Sequence, residues 1–456
     1  LRRPFIPKPH PRYNLTKPMI NRRRFLLTSA VAAAAAPAAS LAQQQQPSTQ
    51  QEKLPPAIAA LTSRHSEAVP ITLAERELRL DRARALMHQD KIDAILITTG
   101  TSLTYFTGLR WGQSERLFAW VLPATGAPFI VCPVFEEGRV RERMEAKPAT
   151  LPSASITRVY TWNEDEDPYK LVARALKESG LTSGKIGIEE RTQFVFADGI
   201  AHASPTLTTT SATPITLGCR GIKTAAELAL MQLANDITLS VYEAAYKSAQ
   251  PGMTNRQFTQ LIDLAYARCG VTGEASCQIG EYSALPHGSL NPQTIREEEI
   301  ILIDDGCFVE GYQSDISRTF VLGNAASPKL DKQRKVFDIV RQAQSAALAA
   351  ARPGVPCQDI DAAARAVITS AGYGPDYKHF THRVGHGIGM DMHEWPYLVR
   401  GNTTPLATGM CFSDEPGIYI AGEFGVRLED DWHVTEDGGK MFTPQSPSLE
   451  HPFAKA

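Results

Sequence analysis

The sequence predicts two domains of different class: an α/β domain over residues 73–213, then an α+β domain over 214–450 with an internal pseudo-two-fold duplication. Three observations carry this. Short apolar strands alternate with helical stretches in the first region, the pattern changes to long helices and hairpins from about Gly218, and a Pro-Gly-headed unit recurs inside the second region. A length of 456 residues exceeds the usual prior of about 100–200 residues per domain, and 43% hydrophobic with 21% charged residues is ordinary globular composition.

Residues 1–42 hold eight Lys and Arg and no acid. Asn21-Arg22-Arg23-Arg24-Phe25-Leu26-Leu27 opens an alanine-rich run to Ala39, and Ser40-Leu41-Ala42 fits a signal-peptidase site. The segment looks like a twin-arginine export signal, which implies the twin-arginine export machinery as a partner and the bacterial periplasm as destination. Pro37 and the short apolar run favour cleavage over a stable membrane span. Leu1 is not a start methionine and Met19 sits at a natural start for the basic region, so residues 1–18 are expected to lie upstream of the native start. Residues 43–72, rich in Gln, Pro, Ser and Ala without periodicity, are expected to form a disordered tether.

Thr72-Leu73-Ala74-Glu75 is a capping-box start for a helix through Met87. Strands are expected at Ile92–Ile97, Phe118–Leu122, Pro128–Cys132, Arg158–Trp162 and Lys185–Glu189, with helices near Glu136–Glu145 and Tyr169–Glu178. No glycine-rich phosphate loop follows any of them, which argues against nucleotide binding. Thr224–Glu227 and Thr254–Gln257 are further capping boxes, the first opening a long helix to about Gln250, the second a helix ending near Cys269-Gly270. The 20-residue unit Pro251–Gly270 has a counterpart at Pro353–Gly372, and each is followed by His-Gly (His287-Gly288, His386-Gly387) and by a pair of carboxylates on strand-like sequence.

Those carboxylates are the chemical signal. Asp304 ends the apolar run Ile300–Ile303, Asp315 lies on the expected return strand, and pairing about the Glu310-Gly311 reversal would set them face to face. Glu415 and Glu429 repeat the device around Gly422. Opposed carboxylates repel unless cations lie between them. Four carboxylates match two divalent ions in charge, and His386 can complete the ligands as a neutral imidazole. Oxygen-rich donors with one nitrogen suit manganese first, then cobalt, zinc or iron. Taken singly, each acid has a turn or surface reading, which is the reading given to Asp305, Asp414, Asp430 and Asp431; the spacing of the five as a set is what points to metal.

Three segments, IDDGCFVEGYQSDISRTFVLG from Ile303, HRVGHGIGMDMHE from His382 and EPGIYIAGEFGVRLE from Glu415, resemble the pita-bread metallopeptidases, the family of methionine aminopeptidase, aminopeptidase P and prolidase. Ser283–Gly288 resembles the family segment with an additional active-site histidine. The resemblance covers about 214–445 and implies two metal ions on Asp304, Asp315, His386, Glu415 and Glu429. It further implies that a water shared by the metals attacks the peptide carbonyl, with Glu415 taking its proton and His287 and His393 contacting the substrate or the intermediate. His382 and Arg427 are expected to position ligands or substrate, Arg427 through the strand face it shares with Glu429. The preceding α/β domain, His382 and Arg427 are similar to prolidase and aminopeptidase P, which implies hydrolysis of Xaa-Pro bonds near a free N-terminus and a homodimer. Asp305, directly after the first ligand, departs from the family's more usual apolar residue. Trp111 is either packing or a residue reaching a partner's site.

Beyond residue 42 the chain has 39 basic against 49 acidic residues, which disfavours nucleic-acid partners. Seven cysteines without any C-x-x-C pair argue against a thiolate zinc site or a redox motif and read as small core residues. No G-x-S-x-G elbow is present. The rival readings are the same fold acting on a small non-peptide molecule, as a creatinase-like hydrolase or sulfonium lyase, and an inactive binding module, which would be expected to lack metal ligands.

Overall fold

The computed structural model describes residues 54–146, 158–323 and 327–453. The export signal expected over 1–42, and residues 43–53 of the expected tether, lie outside the described residues. Residues 54–72 correct the tether expectation. Pro56–Ala59 forms a helical turn, and Ile58 and Ile71 join the core that contains Leu230, Phe258 and Ile262. Arg268 donates to the carbonyls of Ala59 (3.2 Å) and Leu61 (3.0 Å). Two isoleucines are too few to show a sequence period, yet they suffice to seat the segment. Among the described residues no helix is long and apolar enough to cross a membrane.

Residues 94–211 form a mixed six-stranded sheet. Its strands are β1 (Ala94–Ile97), β2 (Ala119–Pro123), β3 (Phe129–Pro133), β4 (Arg158–Trp162), β5 (Gly184–Ile188) and β6 (Leu207–Ser211), in the order β4-β3-β2-β1-β5-β6. β1, β2 and β3 are buried throughout, so they read as continuous apolar runs rather than alternating ones. β6 was not expected: Leu-Thr-Thr-Thr-Ser is a half-exposed edge strand with no apolar alternation. Trp111 stacks on Phe118 of its own domain at 4.5 Å, with the Arg139 guanidinium 4.7 Å from its ring.

All three capping boxes form. Thr72, Thr224 and Thr254 each accept from the backbone N–H three residues on, and Glu75, Glu227 and Gln257 accept from the cap backbone in return. They open helices Leu73–Asp90, Ala225–Ser248 and Asn255–Cys269. The helix pair Ala225–Ser248 and Asn255–Cys269 is echoed by Pro328–Ala350 and Cys357–Ile368, as the repeated Pro-Gly unit predicts.

Each helix pair covers its own core. β9 (Ile301–Asp304) runs between β8 (Ser276–Ile279) and β12 (Arg318–Phe320); β7 (Thr272–Gly273), β10 (Cys307–Val309) and β11 (Tyr312–Gln313) form a neighbouring small sheet. On the other side β13 (Gly385–Gly387), β14 (Glu394–Leu398), β15 (Cys411–Asp414), β18 (Asp430–Val434) and β19 (Gly439–Met441) form one sheet, with β16 (Gly417–Ile420) and β17 (Phe424–Arg427) as a separate hairpin. Ile301 and Ile303 point into the core with Phe258 and Ile262, whereas Ile300 and Leu302 point into the core with Phe337 and Ile360. β9 is therefore shared by both cores, and Asp304 is its last residue.

The Asp304 hairpin differs in register from the expectation. Glu310 (φ 51°) and Gly311 (φ 91°) form a two-residue turn between Val309 and Tyr312, so Phe308 pairs with Gln313. β12 pairs with β9 in the same register, Arg318 opposite Ile303, which brings Ser317 rather than Asp315 across from Asp304. The second hairpin matches: Gly417 pairs with Arg427 and Ile420 with Phe424, turning at Gly422 (φ 75°).

Candidate functional site

Four strand ends from the two halves converge. Ligand-type atoms of Asp304, Asp315 and Glu429 lie within 4.8 Å of one another, as do those of His386, Glu415 and Glu429, and those of Asp315, His386 and His393. The first two groups share Glu429 and the first and third share Asp315, an arrangement that could hold two cations with those carboxylates in reach of both. His386 Nε2 lies 3.4 Å from Glu415 Oε1 and 3.6 Å from Asp315 Oδ2. Its backbone N–H donates to Ser413 Oγ at 3.1 Å, and its Nδ1 lies 3.1 Å from the Gly387 carbonyl, leaving Nε2 aimed at the acids.

The electrostatics show what the site needs. Burial, then the neighbouring Asp304, Asp431 and Glu415, hold the Asp315 carboxyl well above the usual carboxylate range. Burial and then Asp315, Glu415 and Asp304 do the same to Glu429. Glu415 is pushed up to about 7, chiefly by burial and with Asp304 adding to it. Asp304 alone is held below its ordinary value: burial acts upward, but the Arg427 guanidinium and the Ser317 hydroxyl outweigh it. Burial, then His393, keeps His386 neutral, the form a metal ligand requires. Buried carboxyls with raised proton affinity, offset by one guanidinium, are a donor set short of positive charge, and two divalent ions fit that deficit.

Arg427 organises the group, though not as expected. Its partner is Asp304 rather than Glu429, the strand neighbour expected from sequence, and its Nε donates to Ser317 Oγ at 2.9 Å. Ser317 Oγ contacts both Asp304 Oδ1 and Glu429 Oε2, the latter at 2.7 Å. A hydroxyl has one proton, so it can donate to only one of the two acids; of these, Asp304 is held below its ordinary range and Glu429 above it. His382 is second to the acids: its Nε2 lies 2.7 Å from Tyr419 Oη and its Nδ1 3.6 Å from Glu415 Oε2, and burial, then Arg427, drop it to about 3, so it is neutral.

His393 is exposed, with its ring 3.9 Å from that of His386, and Arg383 Nη2 lies 3.3 Å from its Nδ1. A guanidinium has no acceptor, so Nδ1 must accept and the proton sits on Nε2. In that tautomer His393 donates rather than ligates, the role the family resemblance implied. His287 is an exposed loop residue after Pro286, whose carbonyl accepts from Arg427 Nη1 at 3.3 Å.

Three acids read as turn or surface groups are corrected. Asp414, Asp430 and Asp431 are fully buried. Asp430 pairs with Arg318 at 2.6 Å, both side chains being fully buried, and accepts from Gln344 at 3.0 Å. Asp431 Oδ2 accepts from the Asp315 backbone N–H (2.9 Å) and from Asn235 (3.1 Å), so it fixes the loop bearing a candidate ligand. Asp305 is half-buried at φ 96°, accepts from the Ser276 N–H at 2.8 Å, and is pushed up to about 7 by burial and then Asp304. Sequence reasoning also passed over Ser317, Tyr419 and Arg383; of these, Arg383 alone carried a signal, a cation adjoining His382 in the histidine segment. All seven cysteines are buried free thiols.

Comparison with known proteins agrees with this geometry. Residues 229–436 match the family model for metallopeptidase family M24, and residues 79–222 that for the creatinase/prolidase N-terminal domain. An Xaa-Pro dipeptidase of Lactobacillus delbrueckii subsp. lactis is 32% identical over 381 residues, covering 82% of this chain and 98% of that protein. The crystal structure of dipeptidase PepE from Mycobacterium ulcerans superposes with a TM-score of 0.75 at 33% identity, covering 84% of this chain and 99% of the other. That of a prolidase from Thermococcus sibiricus gives 0.70 at 30% identity, covering 80% and 96%. With both domain models matched and relatives spanned almost end to end, the chain belongs to the divalent-metal-dependent metallopeptidase family M24, in the branch that carries a creatinase/prolidase N-terminal domain before a pita-bread catalytic domain.

Proposed function

We propose that this chain is an exopeptidase that hydrolyses Xaa-Pro dipeptides, with two divalent metal ions held by Asp304, Asp315, His386, Glu415 and Glu429. The observation that carries it is the convergence of four carboxylates and one neutral imidazole around a single offsetting guanidinium. Two such ions, when bound, supply Lewis acidity and lower the pKa of a water at neutral pH. The residues do the rest. Glu415, whose Oε1 lies 3.4 Å from His386 Nε2 among the candidate ligands, is positioned to accept a proton from the attacking water and return it to the leaving amine. His393, donating from Nε2, is placed at the mouth of the site to stabilise the developing oxyanion, with His287 on the adjoining loop to contact the substrate.

The proline preference rests on the relatives named above, an Xaa-Pro dipeptidase and a prolidase. Manganese is the first choice of metal on the oxygen-rich donor set, and a homodimer is the proposed assembly. The twin-arginine segment supports export to the periplasm, which fractionation of cells expressing the full chain checks.

The decisive assay offers the metal-supplemented protein Xaa-Pro dipeptides and Xaa-Pro-Yaa tripeptides, with manganese or cobalt, alongside His386→Ala. Dipeptide turnover that His386→Ala abolishes, with metal content falling in that variant, is expected. Tripeptide cleavage alone would make the chain an aminopeptidase P, and turnover of neither would sink the proline assignment.

A further inference from the structure

Between the two domains lies a cavity of about 470 Å³ that the peptidase reading leaves unused. Four arginines line it: Arg76 and Arg79 from the helix Leu73–Asp90, Arg110 from the loop after the helix Thr101–Thr107, and Arg143 from the helix Glu137–Ala146. The catalytic domain supplies the facing wall with Glu310, Tyr312 and Met390, and Glu310 is the one acid among the lining residues. None of the five candidate metal ligands, nor His287, His393 or Arg383, lines this space.

Only one of the four charges is matched. Arg79 donates to Glu227 Oε1 at 3.1 Å and to Tyr312 Oη at 2.9 Å. Among the described residues no carboxylate lies within ion-pairing distance of Arg76, Arg110 or Arg143. Arg76 is half-buried; its Nη1 donates to the carbonyls of Thr104 and Tyr105, each at 3.0 Å, and its Nε is buried without a hydrogen-bond partner. Burial, then Arg79, lowers its proton affinity to about 10, so at neutral pH the charge stays on. Arg143 donates to the Arg110 carbonyl and lies 5.1 Å from the centre of the Trp111 ring, which braces the backbone that carries Arg110. Cations withdrawn from water are ordinarily paired, and here the partner is missing from the chain itself. Beyond residue 42 acids outnumber bases 49 to 39, so a concavity of four guanidiniums and one carboxylate runs against the charge of the body. Like charges along the walls of a cleft focus their field within it, and guanidinium forks match carboxylate and phosphate groups. A second cavity of about 590 Å³ shares Thr104, Arg110, Glu310 and Met390 with the first and adds an apolar wall of Leu233, Ile237, Val271 and Phe308.

We propose that this interdomain cavity binds a small organic dianion, its phosphate or carboxylate groups among Arg76, Arg110 and Arg143 and its carbon body along the apolar wall beside Phe308. The ligand bridges the domains, supplying the counter-charge that the first lacks and resting on Met390 of the second. The site goes beyond the peptidase reading and does not depend on it.

The test is isothermal titration calorimetry of the manganese-loaded full chain with phenylphosphonate and with succinate, in wild type, Arg76→Gln, Arg76→Lys, Arg110→Gln and His386→Ala. Wild type is expected to bind one equivalent of at least one probe, and the tighter probe tells an organic phosphate from a dicarboxylate. Affinity should fall at least about 10-fold in Arg76→Gln and in Arg110→Gln, and be partly retained in Arg76→Lys. Arg110 is exposed, so Arg110→Gln keeps the test valid even where Arg76→Gln impairs folding. His386→Ala, which disturbs the metal centre, should leave the affinity unchanged. Absence of saturable binding to wild type, or equal affinity in both glutamine variants, overturns the assignment. So does binding that is lost in His386→Ala and kept in the glutamine variants, which would place the anion on the metals.

Discussion

Arg427 touches Asp304, Ser317, Tyr419 and the Pro286 carbonyl, and among the described residues its guanidinium is the one that pairs with any of the four candidate metal-binding acids, through Asp304. Without cations the remaining carboxyls must hold protons. Asp315 and Glu429 are raised well above the carboxylate range and Glu415 to about 7, whereas in the unfolded chain they titrate near 4. The folded metal-free protein therefore binds more protons than the unfolded chain above about pH 4, so its stability falls as pH rises through Glu415's value near 7 and beyond. Divalent ions replace those protons and reverse the trend. Thermal unfolding of chelated protein between pH 5 and 8 should show a declining Tm, and the gap to the manganese-loaded protein should widen with pH. A chelated Tm that stays level across that range would mean the carboxyls are not crowded.

Among elements, the two acidic hairpins were legible to different degrees, and the turns explain why. Gly422 at φ 75° marked its own reversal, so the pairing of β16 with β17 followed from the sequence. The Glu310-Gly311 turn was found but its two-residue length was not, because glutamate at φ 51° is not a residue that announces a left-handed position. A shift of two residues along one strand put Ser317 where Asp315 was expected, and Ser317 became the hydroxyl that ties Asp304 to Glu429. Open space surrounds a Cβ at Gly422, so the cost of a side chain there is backbone conformation alone. Gly422→Val should destabilise by roughly 1–2 kcal/mol, and Gly422→Asn by less because asparagine tolerates the left-handed region. Urea unfolding at constant m-value measures both; equal effects would mean the turn relaxes.

For the molecule as a whole, one link between domains is an ionic cluster that no local pattern foreshadows. Arg220, ending the helix Thr213–Arg220, pairs with Asp391 and Glu394 at 2.5 Å each, and Lys223 reaches Glu394 at 3.0 Å. Thr101 and Arg191 of the first domain also bind Asp391. Arg220 and then Lys223 hold Glu394 down to about 2 against its burial. Arg220→Met removes the buried cation that Asp391 and Glu394 share, leaving Glu394 to Lys223 and Asp391 to Arg191, and should cost about 3–5 kcal/mol in urea unfolding. A loss below about 1 kcal/mol would show Lys223 and Arg191 sufficient. The buried acids were hidden for the same reason: Asp430 and Asp431 find Arg318, Gln344 and Asn235 more than 80 residues away, so proximity in sequence says nothing of their partners. The capping boxes, the repeated helix pair and the apolar run of β9 were legible because each is fixed by neighbours within a few residues.

That β9 belongs to both interiors has a mechanical result. Ile301 and Ile303 are anchored in one hydrophobic mass and Ile300 and Leu302 in the other, so neither half of the catalytic domain can breathe without tugging on the aspartate at the tip. Its amides should be among the last to exchange with solvent, and loosening of either half should dislodge the catalytic centre in the same event.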